Sequence, residues 1–257
     1  MGRSRDLADG TLAELNVDSN TLAVDATNDR VGIGTSSPSN KLHVSGSGNS
    51  TPAYFYTPSG QCAIRVETAG NDKAVTEYYT GGNGNWRIGP GITTAGAFEF
   101  NSVTAGATRM LIDSSGRVTM PYQPMAVARV SSDVQGSSDL LLFDTTDINI
   151  GSHYNTSLKR FTAPVAGRYY IAVEVQFHSG ATQIYTGIKV NKNGGQVCDA
   201  YTNQYASNAH ARITVNRVFE LSANDYLEVR VAGSAGTYPT VQGGGSNRTA
   251  FTCFLLS

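Results

Sequence analysis

Residues that could carry out catalysis are few in this chain, and none has the spacing of a catalytic motif. No two of the four histidines, His43, His153, His178 and His210, lie four residues apart as in a zinc hydrolase. The chain also has no G-x-S-x-G nucleophile motif, no P-loop and no G-x-G-x-x-G after a strand. The sequence therefore predicts a protein without enzymatic activity.

Four aspartates near the start of the C-terminal half are the remaining catalytic candidates. Asp133 and Asp139 flank the loop VSSDVQGSSD, and Asp144 and Asp147 follow shortly after it. Paired carboxylates can hydrolyse a glycosidic bond, so a glycan depolymerase is the enzymatic alternative. Aspartates in Ser- and Gly-rich loops more commonly shape turns, and we favour that interpretation.

The three cysteines, Cys62, Cys198 and Cys253, are too far apart to form a metal cluster. Cys253 lies inside an apolar strand, where a small buried thiol is the expected state. We therefore predict free buried thiols, with a Cys198–Cys253 disulfide as the alternative, and no metal ligands.

Two polar segments are the best candidates for ligand binding: CDAYTNQYASNAHAR (198–212) and GSAGTYPTVQGGGSN (233–247). A tyrosine ring can pack against the C–H face of a sugar while an amide bonds its hydroxyl groups. The alternative is a pair of ordinary exposed loops. The candidate residues for binding a receptor or glycan are Tyr201, Asn203, Gln204, Tyr205, Asn208, His210 and Tyr238.

The composition indicates the scaffold that must position these residues. Of 257 residues only 15% are charged, 28 are glycine, and helix-forming patterns are scarce, which predicts an all-β protein with many turns. The net charge of −1 argues against a nucleic-acid partner. No apolar run approaches the roughly 18 residues of a membrane span, and we expect no membrane insertion.

The strongest strand signals lie after residue 122. Phe161, Pro164, Gly167 and Tyr169 form F-x-x-P-x-x-G-x-Y, a turn followed by the alternating strand YYIAVEVQF. Asn193-Gly194 predicts a tight hairpin, and RVFELSANDYLEVRV (217–231) predicts a second one. The last strand, TAFTCFLL, is apolar on both faces and so needs cover on both.

The first 45 residues contain short apolar pairs broken by turns, too little to build a core. Three copies around an axis could bury these pairs against one another. LAVDATNDRVGIGT (22–35) also resembles MLIDSSGRVTMPY (110–122), which indicates one connector used twice. The candidate residues for the interface of a homotrimer are Val31, Ile33, Phe251, Phe254 and Leu256.

These observations predict three parts. Residues 1–45 form an N-terminal connector, and residues 122–257 form a terminal head. Residues 46–121 form a small β-domain that ends in the second connector, and AYFYTPSGQCAIRVET (53–68) is its first candidate strand.

Five motifs between residues 141 and 256 resemble the C1q-like head, a jelly roll related to the tumour-necrosis-factor fold. They are Asn149, Gly151 and Tyr154 in N-x-G-x-x-Y, the FTAPVAGRYYI turn, Lys192-Asn193-Gly194, the strands around Leu221, Asp225 and Leu227, and the closing TAFTCFLL. Two positions depart from the family pattern, which has Gly at both: Asn224, which can also adopt a left-handed turn, and Cys253. The resemblance implies a homotrimer that binds without catalysis. Some members hold Ca²⁺ with loop carboxylates, so Ca²⁺ is the alternative to our expectation of no cofactor.

The segment NDRVGIGTSSPSNKLHV (28–44) resembles a connector common in bacteriophage tail fibres. The two resemblances together predict a virion protein whose head attaches to a host-cell glycan or protein receptor. Its N-terminal end would then join other tail or fibre proteins. Two other hypotheses are a structural fibre or decoration component whose head only trimerises, and a secreted C1q-like ligand.

Overall fold

The computed structural model describes residues 14–17, 21–46, 52–68, 73–135, 143–178, 185–203, 210–233, 240–244 and 249–257. Within these ranges the chain forms strands, turns and bends without any helix, so the all-β prediction is confirmed. None of the described residues forms a helix long and apolar enough to cross a membrane. The chain divides into two compact units, Met1–Arg65 and Val66–Ser257. The boundaries at residues 45 and 121 stay predictions.

The first unit contains a four-stranded sheet. A hairpin joins its second and third strands, and its fourth strand is parallel to the third. The hairpin turn is closed by Asp25, whose carboxylate accepts hydrogen bonds from the backbone amides of Thr27 and Asn28. In order across the sheet, the strands are β1 (Glu14–Val17), β2 (Leu22–Asp25), β3 (Arg30–Ile33) and β4 (Leu42–Val44).

The second unit begins with a five-stranded antiparallel sheet. Its last hairpin turn is closed in the same way as the turn of the first unit. The Asp113 carboxylate accepts hydrogen bonds from the backbone amides of Ser115 and Arg117. The two similar sequences therefore form similar Asp-closed hairpins. The strands are β5 (Thr76–Thr80), β6 (Asn83–Pro90), β7 (Phe98–Ser102), β8 (Ala107–Ile112) and β9 (Val118–Thr119).

The predicted strand at 53–68 is wrong. Residues 52–68 contain no strand, and the large apolar side chains Tyr54, Phe55, Tyr56 and Ile64 are all exposed. Aromatic and β-branched residues favour a strand only where a partner strand is available, and this segment has none among the described residues.

The head is a sandwich of two sheets. The larger sheet contains β10 (Met125–Arg129), β11 (Val134–Gln135), β12 (Thr145–Ile150), β15 (Gly167–Phe177), β18 (Ala211–Leu221), β20 (Thr240–Val241) and β21 (Ala250–Leu255). The smaller sheet has the order β13 (Tyr154–Asn155), β14 (Arg160–Thr162), β19 (Tyr226–Gly233), β16 (Tyr185–Lys192) and β17 (Gly195–Asn203).

The core lies between these sheets because β15 alternates as predicted. Tyr169, Ile171, Val173, Val175 and Phe177 are all fully buried. Tyr169 also fixes the preceding turn, since its hydroxyl donates to the Val165 carbonyl over 2.8 Å.

The N-x-G-x-x-Y motif has a direct structural cause. The Asn149 amide donates to the Tyr154 carbonyl over 2.9 Å, and its oxygen accepts from the Tyr154 amide over 3.0 Å. Gly151 turns the chain between them at φ 77°, a left-handed conformation that favours glycine. The motif thereby brings the buried Tyr154 ring into the core.

The Asn193-Gly194 hairpin is confirmed, and it is joined to a second turn. The Asn193 side chain accepts from the Tyr226 amide over 2.9 Å and donates to the Asp225 carboxylate over 2.7 Å. Lys192 lies 2.8 Å from the same carboxylate. Asn224 adopts φ 70°, so asparagine does serve where the family pattern has glycine.

The predicted hairpin at 217–231 is wrong. β18 pairs along its whole length with β15 in the larger sheet, whereas β19 pairs with β14 and β16 in the smaller one. The turn between them therefore crosses from one sheet to the other.

Candidate binding surfaces

The outer face of the larger sheet carries a row of apolar side chains across five strands. The register pairs Tyr170 with Val218 on one side and with Phe254 on the other. Phe254 pairs in turn with Met125, and Met125 with Ile150. We call these five residues the apolar row. Val218 is 53% exposed and the other four are partly exposed, so none of the described residues covers the row fully.

The next row of the same face has smaller side chains, one of them polar. Thr252 lies between Ala172 and Val127 in this row, and Ile148, which is 40% exposed, lies beyond Val127. Beyond it lie two ion pairs. Arg212 lies 2.6 Å from Glu174, and Arg129 lies 2.8 Å from Asp147. An apolar centre with a charged rim is the usual composition of a protein–protein interface.

The three C-terminal candidates for the trimer interface separate in the structure. Phe254 belongs to the apolar row, and Leu256 is 49% exposed just after β21. Phe251 points the other way and is 1% exposed, packed against the rings of Phe143 and Tyr154. The prediction for Phe251 is therefore wrong, because its side chain fills the core of its own subunit.

The first unit has an uncovered apolar face of its own. The register places Leu22, Ile33 and Val44 in one row across β2, β3 and β4, and Val24, Val31 and Leu42 in the next. None of the six is buried, and Ile33 and Leu42 are exposed. Val31 and Ile33 thus lie where a neighbouring copy could cover them.

The outer face of the smaller sheet carries a different surface, built on β16 and β17. Tyr185 and Tyr201 project from it with exposures of 38% and 47%. Their ring centroids are 5.6 Å apart and the ring planes meet at 81°. Gly187 faces Tyr201 across the ladder, and a Cβ at that position would lie 2.3 Å from a Tyr201 ring carbon. The ring therefore occupies the space that a side chain at position 187 would need.

Polar groups border this pair of rings. Asp199 lies two residues before Tyr201 on the same face of β17, and its carboxylate accepts a bond of 2.8 Å from the Gln196 amide. Partial burial, with the nearby charge of Asp199, raises the pKa of the Tyr201 phenol. The phenol therefore stays a hydrogen-bond donor at neutral pH. We call Tyr185, Tyr201, Asp199 and Gln196 the tyrosine site.

Of the other candidates for ligand binding, the structure describes the side chain of His210 alone. The ring of His210 contacts the ring of His178, with the ring centroids 5.6 Å apart. His178 is in turn hydrogen-bonded to the Asp133 carboxylate. The remaining candidates lie outside the residues whose side chains the structure describes: Asn203, Gln204, Tyr205, Asn208 and Tyr238.

The cysteines are free, as predicted, but only two of the three are buried. Cys198 and Cys253 are buried, and burial raises the pKa of both thiols, whereas Cys62 is exposed. Among the described residues no group of three or more His, Cys, Asp or Glu side chains could hold a metal ion.

The head of this chain matches a known domain family. A C1q-domain model matches residues 125–256, more than half of the chain. The chain belongs to the C1q-domain family. A solved structure similar to the C1q head is the globular domain of zebrafish complement 1qA protein. It is 13% identical, covers 52% of this chain and 98% of its own, and has a TM-score of 0.42. No curated protein sequence matches the chain.

Membership of this family confirms the predicted C1q-like head and its jelly-roll fold. C1q-domain proteins are non-enzymatic binding or structural proteins, and their domains typically form trimers and bind ligands. The sequence predicts Tyr201 as a binding residue but not Tyr185, Gly187 or Asp199, because only the strand register brings these residues together.

Proposed function

We propose that this protein is a homotrimeric attachment protein of a bacteriophage tail fibre. Its C1q head faces the host cell and binds a surface glycan, and its N-terminal end joins other fibre or tail proteins of the virion. The observation that carries the proposal is the apolar row, because it is a partly exposed apolar surface on a domain whose family typically forms trimers.

The apolar row supports association on energetic grounds. Burying a large apolar side chain fully contributes roughly 1.5–3 kcal/mol. Three copies would each bring Tyr170, Phe254, Met125, Ile150 and Val218. The rim pairs Arg212–Glu174 and Arg129–Asp147 would then define the edge and orientation of the contact.

The first unit supports the same assembly independently. None of the six apolar side chains on its face is buried, and burying them against further copies would stabilise the sheet. Covering this face by two further copies would make the connector a trimeric shaft.

The connector is the reason for choosing a tail fibre. The resemblance of residues 28–44 to fibre connectors, and the reuse of the Asp-closed hairpin at Asp113, are features of a modular fibre rather than of an isolated head. A secreted C1q-like ligand is the second candidate, and the C1q-domain match favours it equally.

Trimeric attachment suits weak individual sites. Three heads on one fibre tip engage a surface together, so the second and third contacts form at a high effective concentration. No tight single site is then required.

The proposal is tested by labelling the full chain with a fluorophore and measuring its binding to panels of intact bacteria and of cultured animal cells. A tail-fibre protein binds some bacterial strains strongly and others not at all. Binding confined to animal cells would support the secreted ligand instead. A stable trimer that binds no cell in either panel would leave only the structural role.

A further inference from the structure

We propose that the tyrosine site binds a neutral pyranose, with the sugar ring stacked on the exposed tyrosine surface and its hydroxyl groups bonded to the Asp199 carboxylate. This inference rests on the proposed attachment function and names the part of the head that reads the glycan.

The first support is that the aromatic surface is held in place rather than free to rotate. The Tyr201 ring lies over Gly187. It also packs against the Tyr185 ring in a T-shaped arrangement, with an angle of 81° between the two ring planes. A tyrosine fixed by its neighbours loses little conformational entropy when a ligand stacks on it. Tyrosines that are held in this way and are still 38% and 47% exposed as residues are therefore suited to binding.

The second support is the polar border. The Gln196 amide orients the Asp199 carboxylate over 2.8 Å, and a carboxylate has about four lone-pair positions, so capacity for further donors remains. Adjacent sugar hydroxyls are such donors. An aromatic surface beside an oriented carboxylate provides both contacts that a pyranose needs, one for its C–H face and one for its hydroxyl groups.

The charge of the site decides which sugars it takes. Lys189 is the cross-strand partner of Asp199, but, besides partial burial, the charge that raises the pKa of the Tyr201 phenol is that of Asp199, so a sugar acid stacked on the Tyr201 ring would be repelled. A quaternary ammonium would need a slot between aromatic walls, and the two tyrosine rings touch each other instead. A neutral hexose is therefore the class of ligand that this surface favours.

The position of the site agrees with its use on a trimer. The apolar row lies on the outer face of the larger sheet, and the tyrosine site lies on the outer face of the smaller sheet, with the core of the sandwich between them. Association through the apolar row thus leaves each tyrosine site on the side of the head turned away from that interface.

The experiment is saturation-transfer difference NMR on the full chain. The probes are methyl β-galactopyranoside, methyl α-glucopyranoside, methyl α-mannopyranoside and the methyl glycoside of N-acetylneuraminic acid. We expect signals from the protons of one ring face of at least one neutral sugar and none from the acidic sugar. Tyr201→Ala and Tyr185→Ala should each lower the apparent affinity about tenfold, as expected for a lost aromatic contact and its packing.

Further variants separate the roles of the site. Tyr201→Phe retains the ring and should retain the ring-face signals, whereas Asp199→Asn should weaken binding of every neutral sugar. Tyr79→Ala is the matched control, because Tyr79 is also exposed, also lies across a ladder from a glycine, Gly84, and also meets a carboxylate, that of Glu77. It should bind sugar like the wild type.

Unchanged signals in Tyr201→Ala and Tyr185→Ala, signals from the acidic sugar alone, or no signal from any neutral sugar would overturn the inference. Its failure can be told apart from failure of the proposed function. A folded Tyr201→Ala trimer that attaches to bacteria as well as the wild type contradicts the tyrosine site only, whereas a wild-type trimer that attaches to no cell contradicts the attachment function.

Discussion

Tyr170 and Phe254 are cross-strand partners on β15 and β21, with ring centroids 5.2 Å apart and a tilt of 46° between the ring planes. They are the centre of the apolar row, and Val218 and Met125 extend it on either side. Aromatic pairs of this geometry add to the stability of a sheet, but here both rings also remain partly exposed. The pair therefore links the fold of one subunit to its association with others.

Phe254→Asp should convert the assembly into soluble monomers or aggregates. The substitution places a charge in the middle of an apolar contact, where it would be desolvated without a partner. The measurement is the mass in solution by multi-angle light scattering, with circular dichroism to verify the β-fold.

Val165→Asp is the control for that variant. Val165 is exposed like Val218, but it lies in the turn before β15, away from the apolar row. We expect it to retain the wild-type mass. A folded Phe254→Asp protein of unchanged mass would place Phe254 outside the interface.

Tyr169→Phe should lower the free energy of unfolding by about 1 kcal/mol, because it removes one hydrogen bond to the Val165 carbonyl and leaves that acceptor without its partner. Denaturant unfolding measures the change. Tyr170→Phe is the matched control at the next position and keeps the ring of the apolar row. If both variants lose the same stability, the Val165 bond is not what fixes the turn.

Glu99→Gln should change how the stability of the middle sheet depends on pH. Burial opposes the charge of Glu99, but hydrogen bonds from the hydroxyls of Thr108 and Thr93 and from the backbone amides of Thr93 and Thr94 outweigh it and lower its pKa from 4.5 to about 2. A lowered folded-state pKa means that the stabilisation is complete above about pH 4.5 and is lost as the pH falls through about 2.

The wild type should therefore lose stability between these pH values while Glu99→Gln stays nearly flat, starting about 1–3 kcal/mol lower near neutral pH. Trp86 is the single tryptophan of the chain and lies on β6 of the same sheet, so its fluorescence follows unfolding there. Parallel pH profiles for the two proteins would show that Glu99 does not act through its charge.

The sequence predicted most of the head because its motifs are local. F-x-x-P-x-x-G-x-Y and Asn193-Gly194 each encode a turn through backbone conformations that a few residue types adopt. Alternation in β15 likewise shows which side chains are buried. These signals need no knowledge of distant strands.

Pairing between distant segments could not be read in this way. The turn at Asn224 looks like a hairpin turn, yet the strands on either side of it enter different sheets. Alternation in the last strand also shows two apolar faces without showing which one lies inside. For that reason the sequence places Phe251 among the interface candidates, although its side chain fills the core.

The strand register at the tyrosine site could not be predicted from the sequence either. Counting residues back from the Asn193-Gly194 turn pairs Gly187 with Ala200 if the ladder is regular. A bulge between Val190 and Asn191 shifts the register by one residue, so Gly187 faces Tyr201 instead. Nothing local in the sequence announces this bulge, and without it the contact between Gly187 and Tyr201 would not form.

The central claim is that three copies of the chain cover one another's apolar surfaces. Sedimentation equilibrium of the full chain at micromolar concentration tests it most directly. The apolar row and the bare face of the first unit predict a single species of three times 27.2 kDa that persists on dilution. A well-folded species of 27.2 kDa at the same concentration would show that one copy tolerates both surfaces in water, and would contradict the account.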